Sequence, residues 1–141
     1  MGRIDNLLTA MTLEEKIGQL TMVAASLAVT GPAKLTDATE RIRAGRIGAL
    51  LNLWGADETH AVQRLAVEES RLGVPLLIGL DVVHGHRTIF PVPLAETCLF
   101  DPVLWEETAR AAAEEATMDG VAMTFAPMVD VARDPRWGRI V

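Results

Sequence analysis

The chain has 141 residues, 50% of them hydrophobic and 23% charged. That is enough apolar material for one globular domain, and it excludes a disordered polymer. The formal net charge of -6 argues against a surface for nucleic acid or an anionic membrane, because phosphates reward clustered Lys and Arg.

The N-terminal stretch MGRIDNLLTAMTLEEK interleaves charges with apolar residues and contains no hydrophobic leader. It points to the cytoplasm, or to the periplasm or the exterior if the chain is a processed one. Thr12 and Glu15 have the spacing of a capping box and open a short helix, after which QLTMVA from Gln19 reads as a strand. The uncharged run from Ile17 to Ala33 is too short and polar to span a membrane. Thr36 can cap a second helix that runs to Ala44 and stops at Gly45, and IGALLNL from Ile47 is the next buried strand. Asp57 opens a third helix whose Ala61, Val62, Leu65, Ala66 and Leu72 share one face, closed by Gly73. Strand LLIGLD follows. Cys98, the single cysteine, forbids an internal disulfide and reads as a small core residue. Asp101 and Pro102 form an N-cap and N1 pair for an alanine-rich helix that runs to about Asp119, with Gly120 just past its end. VAMTFAPMVDV from Val121 is the fourth strand.

Strands separated by helices imply right-handed crossovers and a parallel sheet, so the class is α/β. A closed (β/α)8 barrel takes about 250 residues. Residues 1–141 therefore read as the N-terminal half of such a barrel, one incomplete domain with no second domain beside it.

The most informative stretch is LLIGLDVVHGHR, Leu76 to Arg87. A strand buried on both faces reads as continuous Leu and Ile, and its carboxyl end opens where α/β proteins hold ligands. Asp81 falls at that mouth, with His84, His86 and Arg87 close behind. The plainer alternative is that Asp81 caps a turn and the histidines are satisfied loop polars. A second cluster, MVDVARDPRWGRIV, crowds Asp130, Arg133, Asp134, Arg136 and Arg139 around Trp137. Carboxylate acceptors, Arg donors and an aromatic face are the parts of a carbohydrate site. The same charges can equally form ion pairs that only pin a loop.

Together IGQLTM at Ile17, GVPLLIGLDVVHGHRTIFPVPL from Gly73 to Leu94, and APMVDVARDPRWGR from Ala126 to Arg139 closely resemble glycoside hydrolase family 3, in its bacterial periplasmic-type β-glucosidase branch. The resemblance spans essentially the whole chain, with several motifs in order. It implies the N-terminal barrel domain of a β-glucosidase acting on terminal β-glucosyl residues, with no cofactor. It also implies that Asp81 accepts hydrogen bonds from hydroxyls at the non-reducing end of the sugar, that Arg139 joins it, and that Arg87 lines the same pocket. His84 and His86 shape the loop. The family's nucleophile is an aspartate in a later S-D-W-like motif, its Lys-His pair also comes later, and its acid/base glutamate lies on a following domain; nothing between Met1 and Val141 matches them. A retaining glycosidase needs two carboxyl groups about 5–5.5 Å apart. This chain is thus expected to supply sugar-binding residues and no catalytic pair, and to be inactive alone.

Two other readings compete. Asp81, His84 and His86 form D-x-x-H-x-H, and a zinc hydrolase can use such a set, although no further ligand is evident in the sequence. Alternatively, the half-barrel is an inert truncation product or a partner-binding module; residues 1–141 alone are in any case expected to self-associate.

Overall fold

The computed structural model describes residues 2–25 and 38–138. Among the described residues helices separate successive strands, two of them between β3 and β4: α1 (Arg3–Ala10), α2 (Leu13–Gln19), β1 (Met22–Ala24), α3 (Ala38–Arg43), β2 (Ala49–Leu51), α4 (Ala56–Glu69), β3 (Leu77–Leu80), α5 (Pro93–Thr97), α6 (Pro102–Met118) and β4 (Met123–Thr124), with a 3-10 turn at Pro135–Trp137. The four strands pair in parallel in the order β1-β2-β3-β4. Chain order and spatial order coincide, as in the first half of a (β/α)8 barrel, without the reversal that marks an open doubly wound sheet.

Local chemistry explains the elements. The Thr12 hydroxyl accepts from the Glu15 N–H at 3.2 Å while the Glu15 carboxylate accepts from the Thr12 N–H at 2.8 Å, so the expected capping box is formed. Asp101 accepts from the N–H groups of Val103 and Leu104, with Pro102 in the first helical position. Gly45, Gly73 and Gly120 follow their helices with positive φ, the conformation that stops a helix at least cost for glycine. Gly18 has a different purpose. A side chain there would collide with the backbone of Gly45 and Arg46, so its bareness lets α2 lie directly against the approach to β2.

Several sequence-based boundaries shift. β1 starts at Met22 because α2 continues through Gln19. β2 stops at Leu51 because Asn52 turns left-handed, with φ 60°. β4 is two residues long and, like β1, lies at a sheet edge with one neighbour among the described residues. Helix α4 begins at Ala56; Ala66 is buried and Val62 and Leu65 pack on the core, but Ala61 is exposed and Leu72 lies beyond the helix. The cap expected at Thr36 lies outside the described residues. Helices α1 and α5 add to the expected elements; α1 carries Ile4, Leu7 and Leu8 at helical spacing, although none of its residues is buried. Cys98 is exposed rather than in the core, because it caps the end of α5, where its thiol faces the Leu94 carbonyl at 3.4 Å.

The core lies between the sheet and helices α3 and α4: Ile42, Ile47, Leu50, Ala66 and Leu76 form one cluster, and Ile78 is fully buried. The opposite face of the sheet is open, with Met22, Leu77 and Phe125 exposed. Among the described residues no helix is long and apolar enough to cross a membrane.

One ion pair ties the N-terminal helices to the segment after α4. Arg71 donates through Nε to Glu15 at 2.9 Å and through a terminal nitrogen to its second oxygen at 2.5 Å. The Arg71 guanidinium, helped by the Thr12 N–H, lowers the Glu15 carboxyl to about 2. A depressed carboxyl stabilises the fold above its unfolded value, and that contribution fades as pH falls through the folded value. Glu15→Gln is therefore expected to lower the thermal midpoint at neutral pH, with the gap from the parent closing between about pH 4 and pH 2; thermal unfolding across that range checks it, and a gap that widens on acidification contradicts it.

Candidate sugar-binding site

In β3 the buried Leu76 and Ile78 face the helices, and strand alternation turns Leu77, Gly79 and Asp81 to the open inner face. Asp81 is the first residue past the strand and is exposed. Among the described residues it enters no ion pair, unlike Asp119 and Asp134. The backbone on either side of it meets the neighbouring strand: the Val82 N–H donates to the Thr124 hydroxyl at 3.2 Å, and Leu80 pairs with Thr124 in register.

That register puts Phe125 level with Asp81 on the neighbouring strand. A Cβ added to Gly79 would meet the Met123 methyl at 3.0 Å and the Phe125 ring at 3.4 Å. The ring of Phe125 and the end of Met123 thus lie over Gly79, two residues before Asp81 on the same face of the sheet. Phe125 belongs to no motif in the sequence; the signal that points to it is its position two residues after Met123, just past β4. On the other side, the Asn52 N–H donates to the Gly79 carbonyl at 3.0 Å, and the exposed Trp54 follows. A carboxylate acceptor beside an aromatic face can bind sugar hydroxyls and an apolar ring face together.

The two histidines shape the loop. His84 Nδ1 lies 3.0 Å from the Phe90 carbonyl, which can only accept, so that nitrogen carries the hydrogen. His86 Nε2 lies 2.7 Å from the Asp119 carboxylate and donates to it in the same way. Their rings serve different partners, and among the described residues no three His, Cys, Asp or Glu side chains gather as a metal site. Arg87 also turns to Asp119, through Nε at 2.9 Å and through a terminal nitrogen. Its guanidinium is thus engaged with helix α6. Arg87 first and His86 second hold the Asp119 carboxyl down at about 2.

The second cluster divides. Asp134 caps the turn by accepting from the Arg136 N–H at 2.9 Å, and it pairs with the exposed Arg136 guanidinium, which keeps its carboxyl below the usual range. This pair pins the loop. Trp137 and Asp130 instead line a cleft of about 1140 Å³. Arg139 lies outside the described residues. The cleft is walled by the alanine face of α6, from Ala109 to Ala116, and does not include Asp81. Size alone would favour the cleft, whose lining includes Glu96, Glu106 and Asp130, but the carboxylate at the end of β3 lies outside it.

Comparison with known proteins bears on this geometry. The family model described as the glycosyl hydrolase family 3 N terminal domain matches residues 12–141. The periplasmic β-glucosidase of Salmonella typhimurium is 42% identical over 137 residues, 96% of this chain and 17% of that protein. A crystal structure of β-glucosidase from Listeria innocua in complex with isofagomine superposes with a TM-score of 0.82 at 38% identity, covering 99% of this chain and 20% of that one. The same enzyme in complex with glucose matches equally well, with a TM-score of 0.82 over 98% of this chain. The chain thus spans about a fifth of the length of these relatives, from 17% to 20%. With the match running through the strand ends that carry Asp81 and the DPRWGR turn, this chain belongs to glycosyl hydrolase family 3, in its N-terminal domain.

Proposed function

We propose that this chain forms part of the sugar-binding wall of a retaining β-glucosidase that removes terminal non-reducing β-D-glucosyl residues. The observation that carries the reading is the exposed Asp81 carboxylate at the end of β3, level with the Phe125 ring on the inner face of a family 3 sheet. Asp81 accepts hydrogen bonds from sugar hydroxyls, and Phe125 offers the ring an apolar face. Arg139 adds donors to the same hydroxyls. Arg87, with two of its nitrogens on Asp119, contributes to the pocket chiefly by holding the loop, with its remaining terminal nitrogen available to the ligand. None of these groups is assigned as nucleophile or acid/base. The attacking and protonating carboxyl groups, about 5–5.5 Å apart in a retaining enzyme, are assigned to the rest of the parent. The Salmonella relative's name supports a periplasmic location for that parent.

In the full-length enzyme, Asp81→Ala is expected to lower kcat/KM for an aryl β-glucoside by about 100-fold or more, since sugar hydroxyls lose a charged acceptor in a desolvated pocket. Arg139→Lys is expected to cost about 10-fold, because an ammonium cannot reproduce the planar fork of donors. Steady-state kinetics on folded variants check both; near-normal values for Asp81→Ala would remove its assigned role.

Residues 1–141 expressed alone are expected to self-associate and to leave a chromogenic β-glucoside intact. The inner sheet face exposes Leu77 and Phe125, and β1 and β4 each offer an unpaired edge among the described residues. Size-exclusion chromatography with light scattering, run beside a turnover assay, tests this; a monodisperse monomer with measurable hydrolysis would contradict both halves.

A further inference from the structure

The residues after Asp81 up to Val92 form no helix or strand, so Asp81 stands at the root of an irregular loop. The loop closes on itself through the Phe90 N–H, which donates to the His84 carbonyl at 2.8 Å, and through a bridge between Gly85 and Ile89. Gly85, with φ 113°, makes that closure possible, since any side chain there would strike the Thr88 carbonyl. The tip is then fastened to helix α6 by two carboxylates one helical turn apart. Glu115 accepts from the Arg87 N–H at 2.8 Å, the Thr88 N–H at 2.7 Å and the Thr88 hydroxyl at 2.6 Å. Asp119 accepts from His86 Nε2 at 2.7 Å, from Arg87 Nε at 2.9 Å and from a terminal nitrogen of Arg87. The Asp119 side chain is 4% exposed and that of His86 8%, so this is a built anchor and not a surface pair.

Helix α6 gains nothing from these acids on its own account. Glu115 lies in its last turn and Asp119 at its C-cap, where the negative end of the helix dipole disfavours carboxylates, and like charges at this spacing repel. Their donors all come from the loop. We infer that Asp119 and Glu115 are positioning residues: by clamping the tip of the loop they hold its root, and with it the Asp81 carboxylate, in the place where the sugar is bound. The inference rests on the sugar-binding role proposed for Asp81. Pre-organisation of this kind is sensitive, because a displacement of about 1 Å at a binding group can cost about 100-fold in rate.

A double-mutant cycle in the full-length enzyme tests it. Asp119→Ala is expected to lower kcat/KM for an aryl β-glucoside by about 10- to 100-fold, with Asp119→Asn and Glu115→Gln losing less, since each keeps the side-chain shape and one oxygen acceptor. In an Asp81→Ala background, adding Asp119→Ala is expected to cost less than about threefold, because the group it positions is already gone. The same fold-loss with and without Asp81 overturns the inference, as does a clamp variant whose thermal midpoint falls while kcat/KM stays unchanged. If Asp119→Ala fails to fold, the same cycle run with Asp119→Asn and Glu115→Gln decides by the same criteria. An Asp81→Ala enzyme with unchanged kinetics overturns the sugar-binding role itself, and the inference with it.

Discussion

Everything at the candidate site follows from which way β3 faces. Ile78 is fully buried and Leu76 lies in the cluster beneath the helices, and removing such side chains from water stabilises the fold by roughly 1.5–3 kcal/mol each. A slip of one residue would bring these groups to the open side and take Asp81 to the helix side. The period of two therefore commits Gly79 and Asp81 to the inner face. The pairing of β3 with both β2 and β4 then decides what stands beside them: Asn52 on one flank, Thr124 and Phe125 on the other. Burial on one face of a short strand places the chemistry on the other.

The acidic residues sort by environment. Glu15, Glu115, Asp119 and Asp134 are each held below the ordinary carboxyl range by a named partner. Arg71, Thr88, Arg87 and Arg136 are those partners, and each of these acids is spent on holding structure. Asp81, by contrast, is exposed and enters no ion pair among the described residues. A site that binds neutral hydroxyls needs an acceptor whose oxygens are not already taken, and the pattern of pairing distinguishes Asp81 from the four.

Much of this was legible in the sequence, for identifiable reasons. The Thr12–Glu15 box, the Asp101–Pro102 start and the glycines after the helices are local rules, and each is found where the residues indicate. The parallel α/β class followed from helices between apolar runs. The end of β3 at Asp81 was legible because a continuous Leu and Ile run gives way to charge there. Long-range placement was not legible. Nothing near Phe125 in the chain shows that its ring lies over Gly79, and nothing near Arg87 shows that Asp119, thirty-two residues on, takes its guanidinium. Strand lengths were overestimated because apolar residues continue past the ladder, where Asn52 turns or where β4 loses its pairing. Helix α1 is legible in the helical spacing of Ile4, Leu7 and Leu8, whereas the exposure of Cys98 is not, because residue type alone cannot reveal an open helix end.

The proposed site for sugar is the inner sheet face at the end of β3. The most direct measurement is a crystal structure of the full-length enzyme with a glucose-mimicking inhibitor. The Asp81 carboxylate is expected at hydrogen-bond distance, about 2.6–3.2 Å, from sugar hydroxyls, with the Phe125 ring against the sugar. An inhibitor seated in the alanine-walled cleft beside α6, with Asp81 facing only water, would contradict it.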